Sequence, residues 1–147
     1  MIKFKYNSTI HGKMAIHYEP PVFINFGGER FDRRRGRVNT GLFVALAPEN
    51  HFQIVALGET CTHMSVIDAA QERGIGGIVL GGGTIDFFDK DKSVSVRGYS
   101  QSFGSLPNEV LIEYFSSFGY RVKATMLYGD KNKEEFEWFK RLDISTP

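Results

Sequence analysis

Leu42-Phe43-Val44-Ala45-Leu46-Ala47, then Pro48-Glu49-Asn50, then Phe52-Gln53-Ile54-Val55-Ala56-Leu57: this stretch decides the fold class. Two apolar runs of strand length, separated by turn-forming residues, read as an antiparallel pair over 42–57. Working outward, Met64 to Arg73 reads as a helix. Met64, Ile67 and Ala70 recur on one face, Thr62 stands at the N-cap position, and Gly74 stands where a C′ glycine belongs. Gly76 to Gly83 frames a short strand, Ile78-Val79-Leu80, and Thr84-Ile85-Asp86 continues in extended form. After the polar turn Asp89-Lys90-Asp91-Lys92, valine alternates with polar residues through Ser93-Val94-Ser95-Val96-Arg97, the period of a half-buried strand. The connection lengths predict Ile78–Leu80 beside Val94–Arg97, with Gly81–Gly83 near a sheet end.

Pro107 opens a second helix through Phe118. Gly119 ends it, and Tyr120 to Met126 resumes strand alternation. Lys131 to Leu142, with Phe136 and Phe139 at helical spacing, reads as a terminal helix. Upstream, Pro20-Pro21 and Gly27-Gly28 break residues 1–30 into short pieces, read as strands added to a sheet edge. This order predicts an α+β fold, a mixed β-sheet flanked by two main helices, with a C-terminal helical tail. The expected organisation is an N-terminal extension over 1–38, a core domain over 39–128 and the tail over 129–147.

Composition narrows the function classes. A chain of 147 residues, 41% hydrophobic and 24% charged, with thirteen Phe and six Tyr, suits one globular domain rather than a disordered chain. No apolar run reaches the ~18 residues of a membrane span, and Met1 to Lys5 does not open a signal peptide. A cytoplasmic protein with no membrane partner is expected. The single cysteine, Cys61, excludes an internal disulfide and a multi-cysteine zinc site, and no metal or other cofactor is expected. Net charge is +1, but residues 30–37 hold five arginines against Asp32, +4 in the window and −3 elsewhere. Arg33, Arg34 and Arg35 at its centre are candidate anion contacts, able to meet nucleic acid; a solvated basic loop is the plainer reading.

Three features could carry chemistry. Gly81-Gly82-Gly83 either makes a bulge or turn, or lets backbone approach a ligand; it fits neither a P-loop nor a dinucleotide fingerprint. His63 stands at a helix start, where unpaired N–H groups and the helix dipole attract a phosphoryl group. The same positive end favours a neutral ring, able to act as base or nucleophile, although a surface or capping histidine is the plainer reading of the position. Cys61 reads as a structural thiol or, with His63 as base, a nucleophile.

Leu80-Gly81-Gly82-Gly83-Thr84-Ile85, Asp91-Lys92, and Val96-Arg97-Gly98-Tyr99-Ser100 followed by Phe103-Gly104 resemble the janus family, best known for small protein-histidine phosphatases. Thr62-His63-Met64 with Ile67-Asp68 is similar to that family's catalytic segment. The resemblance implies His63 as catalytic base or phosphate acceptor. It implies a phosphate-binding set of Thr62, Met64, Ser100, Gln101 and Ser102, and a phosphorylated protein as substrate. The chain departs from the family at three cations. Val44 replaces a lysine, Thr84 replaces an arginine, and Gln53 to Leu57 lacks another. Two functions follow: a metal-independent phosphatase, or a non-catalytic module that binds a polyanion or acidic protein through the anion pocket and the Arg30–Arg37 segment.

Overall fold

A computed structural model describes residues 17–26, 30–32, 36–47, 51–60 and 62–127. The strands are β1 (His17–Tyr18), β2 (Val22–Ile24), β3 (Arg30–Asp32), β4 (Gly36–Ala47), β5 (His51–Gly58), β6 (Ile78–Phe88), β7 (Ser93–Gly98) and β8 (Arg121–Met126). The helices are α1 (His63–Glu72), between β5 and β6, and α2 (Asn108–Ser116), between β7 and β8.

The eight strands form a single mixed sheet in the order β1-β5-β4-β6-β7-β8, with β2 also on the outer side of β5 and β3 on β4. β4 and β5 pair antiparallel from Gly41↔Gly58 to Leu46↔Gln53, so the stretch over 42–57 is a strand pair as its pattern requires. β1 and β2 add to the free edge of β5, both parallel, which agrees with the edge strands expected upstream.

The architecture corrects the expectation of a mixed sheet flanked by two main helices with a helical tail. The sheet dominates and curls into a half-barrel, while the helices are short, with 10 and 9 residues. The stretch expected as a helical tail, 129–147, lies outside the described residues. Strand twist and a bulge supply the curl. Ala45 pairs with Gly81, but Leu46 pairs with Val79, so Leu80 is the extra residue on β6.

A second difference concerns β6. It runs unbroken for 11 residues: Ile78 and Val79 pair with β4, and Thr84 to Phe88 pair with β7. Gly81–Gly83 therefore lies mid-strand, rather than at a sheet end. Adjacent glycines read as punctuation, but here they let other groups crowd both faces of a continuous strand.

The core fills both faces of the sheet. Phe43, Ala45, Phe52, Ile54 and Ala56 face α2, where Val110, Leu111, Tyr114 and Phe115 are buried. Val44, Leu46, Val55 and Leu57 face the other way, beneath Val66 and Ala70 of α1. Burial on both sides is why residues 42–47 and 52–57 read as continuous apolar runs rather than alternating ones. α1 packs mainly on β4 and β5, and β7 and β8 keep one polar face: Arg97, Arg121, Lys123 and Thr125 are exposed there.

Candidate functional site

α1 starts where the chain supplies a cap. Thr62 is extended at φ −135° and ψ 142°, and its hydroxyl accepts from the Ser65 N–H at 3.2 Å. That places His63 at the first helical position. There the ring leans from the helix onto the sheet face that α1 covers.

The ring lands on the glycines. A methyl at Gly82 would lie 3.1 Å from His63 Cδ2 and 3.4 Å from Nε2, and would also strike the Phe43 carbonyl oxygen. Only a residue without Cβ lets the imidazole lie against β6. His63 Nε2 is 2.9 Å from the Gly83 carbonyl oxygen. A carbonyl oxygen only accepts, so Nε2 is the protonated nitrogen in this contact. In the neutral ring this contact selects the tautomer with the lone pair on Nδ1. Gly83 serves the opposite face, where a methyl would meet Met126 Cε at 2.9 Å and Phe43 Cε1 at 3.2 Å.

The Gly98–Ser105 segment joins this place from the other side. The Gly104 carbonyl accepts from Gly82 N–H and Ser100 N–H, each at 3.0 Å, while Gly104 N–H donates to the Ser100 carbonyl at 2.8 Å. The two halves that the sequence marked, His63 and the Ser100 turn, therefore meet on Gly82. Their roles differ. Ser100 is fully buried, and its hydroxyl accepts from Phe103 N–H at 3.1 Å, holding the turn. Gln101 and Ser102 are exposed at its tip. Thr62 is exposed and Met64 is 56% exposed at the helix start.

The departures from the family pattern have clear positions. Val44 pairs with Gly82 on the His63 side of the sheet, and is buried beneath α1 with Val66. Thr84, the next residue of β6 on that side, pairs with Leu42 and Arg97. Cys61 and Arg33, Arg34 and Arg35 lie outside the described residues. The backbone on either side of those arginines is a strand pair, β3 with the start of β4, where a loop or arm was expected.

The Gly83 carbonyl escaped the sequence reading, since backbone acceptors carry no residue signature. Among the described residues, no group of three His, Cys, Asp or Glu side chains could hold a metal ion, and no helix is long and apolar enough to cross a membrane.

A search of curated proteins finds no match. A family model described as Janus/Ocnus matches residues 48–121, just over half of the 147. The matched segment runs from β5 through α2 and contains His63, the three glycines and the Ser100 turn. The chain belongs to the Janus/Ocnus family.

Proposed function

We propose that the His63 site binds a phosphoryl group and hydrolyses it from a phosphohistidine-bearing protein, without a metal. One observation carries this reading: the Nε2 to Gly83 carbonyl bond, which in the neutral ring leaves the lone pair on Nδ1. In the scheme, Nδ1 takes a proton from water while the water oxygen forms the new bond to phosphorus. The phosphorus–nitrogen bond of the substrate breaks, and the proton taken up by Nδ1 passes to the departing imidazole nitrogen. Direct attack of Nδ1 on phosphorus, followed by hydrolysis of the new phosphorus–nitrogen bond, uses the same atom. Gly83 supports either route by accepting from Nε2–H throughout, which stabilises positive charge on the ring. The first-turn amides of α1, with Gln101 and Ser102, are the donors within the turn and helix start for phosphoryl oxygens.

The test is phosphate release from a phosphohistidine peptide by the purified full chain. His63→Ala should abolish release while the chain stays folded. Burial of Val44 where a cation would serve the phosphate favours the second reading, a module that binds without turnover. Wild-type chain that releases no phosphate, yet whose His63 responds to bound phosphate, would decide for that module.

A further inference from the structure

Alternate residues of a strand share a face, so β6 presents Gly82, Thr84 and Asp86 on the side where the His63 ring lies. β7 continues that face with Arg97, directly opposite Thr84, and Ser95, opposite Asp86. Thr84 is about 7 Å along the strand from Gly82. Arg97 is therefore rooted one cross-strand step beyond the neighbour of the glycine beneath the imidazole. Its guanidinium is held on that same face at Asp86, the next residue of the face beyond Thr84 from Gly82. Nη1 donates to Asp86 Oδ2 at 2.5 Å, and Asp86 Oδ1 accepts from the Thr40 hydroxyl at 2.7 Å. Other described cations stand elsewhere. Lys92 lies over the Tyr120 ring, Arg121 and Lys123 pair with Ser93 and Ser95 towards the other end of β7, and Arg73 caps the far end of α1.

We propose that Arg97 is the phosphoryl-recognising cation of the His63 site, positioned by Asp86 and Thr40. This rests on the reading of His63 as a phosphoryl site, and adds the charge that binding a phosphate there requires. The Arg97 side chain is 46% exposed, against 19% for Asp86, so the pair is anchored at its carboxylate end and open at its guanidinium end. With Nη1 committed to Asp86, the rest of the planar fork suits two phosphate oxygens. The ion pair also restricts the arginine before ligand arrives, which lowers the ordering cost of binding. The same carboxylate disfavours an anion on its own side, so it directs the phosphoryl group to the guanidinium edge turned from Asp86.

The experiment titrates inorganic phosphate into the purified full chain and follows the His63 imidazole by NMR, with thermal unfolding as a check on the fold. Wild type should show a saturable His63 shift. Arg97→Gln should weaken phosphate binding at least tenfold, and adding Thr84→Arg to that variant, which restores a guanidinium to the same face, should recover most of the loss. If Arg97→Gln does not fold, Arg97→Lys, which keeps the charge without the fork, should weaken binding by a smaller factor. Unchanged affinity in a folded Arg97 variant overturns the assignment and leaves the His63 site standing. Wild-type chain with no His63 response to phosphate overturns both.

Discussion

α1 and α2 end alike and begin differently. Ile75 N–H donates to the Ala70 carbonyl at 2.9 Å and Tyr120 N–H to that of Phe115 at 3.1 Å, while Gly74 and Gly119 take φ of 78° and 85°. Both closures are the same left-handed glycine motif. At its start, α1 has the Thr62 hydroxyl, whereas Pro107 gives α2 no side-chain cap. Burial reverses the order. α2 buries Val110, Leu111, Tyr114 and Phe115, and α1 buries Val66 and Ala70. One helix is held by its bulk and the other by its ends. The lightly held helix is the one that presents an imidazole to the sheet.

The largest effects should fall on the heavily packed side. Tyr114 is fully buried, touches Phe52, Phe115, Phe118 and Tyr18, accepts from Ile54 N–H at 3.2 Å and donates to the Glu19 carbonyl at 2.5 Å. Tyr114→Ala should cost about 3–5 kcal/mol in urea unfolding. Val66→Ala, beneath α1, should cost less than half as much, and equal losses would break the contrast between the helices.

Tyr114→Phe isolates the hydroxyl, and leaving the Ile54 N–H buried without it should cost about 1–3 kcal/mol. Alkaline pH sharpens the same point. Burial pushes the Tyr18 and Tyr114 phenols well above the usual tyrosine range. The unfolded chain then releases these protons near pH 10 while the folded chain holds them. Their contribution is fully present below about pH 10 and is lost as pH rises beyond it. The urea midpoint should fall from pH 9 to 11, less steeply in Tyr114→Phe; equal slopes would remove the tyrosines as the cause.

Thr62→Ala removes the cap of α1 and should cost about 1 kcal/mol. Because the cap sets where the helix begins, the variant should also lose the proposed release of phosphate from a phosphohistidine peptide beyond what that loss of stability explains. The smallest change in stability should come from His63→Ala, about 1 kcal/mol or less, because the ring is only partly buried and water can take its place on the Gly83 carbonyl.

Local chemistry explains how much was legible in the sequence. Thr62 and Gly74 bound α1, and Gly119 ends α2, because caps and left-handed glycines act through their immediate neighbours. The strand pair over 42–57 was equally plain. The extent of β6 was not, since Gly81-Gly82-Gly83 interrupts the apolar pattern without interrupting the strand. The helices were overestimated for a related reason: a clear helical period says nothing about how much of the sheet a short helix covers. His63 was legible as a helix-start residue and from the resemblance. That its ring rests on Gly82, and takes its tautomer from Gly83, depends on β6 passing beneath α1, a contact between residues 20 positions apart. Arg97 was hidden for the same reason, because its position opposite Thr84 depends on strand register.

The most direct test of the central claim is the tautomer of His63, read by nitrogen-15 NMR of the folded full chain at a pH where the ring is neutral. The proton should sit on Nε2, with Nδ1 showing the shift of an unprotonated nitrogen that moves when phosphate is added. A proton on Nδ1, with Nε2 unprotonated, would contradict the Gly83 contact and remove the base on which the proposed chemistry depends.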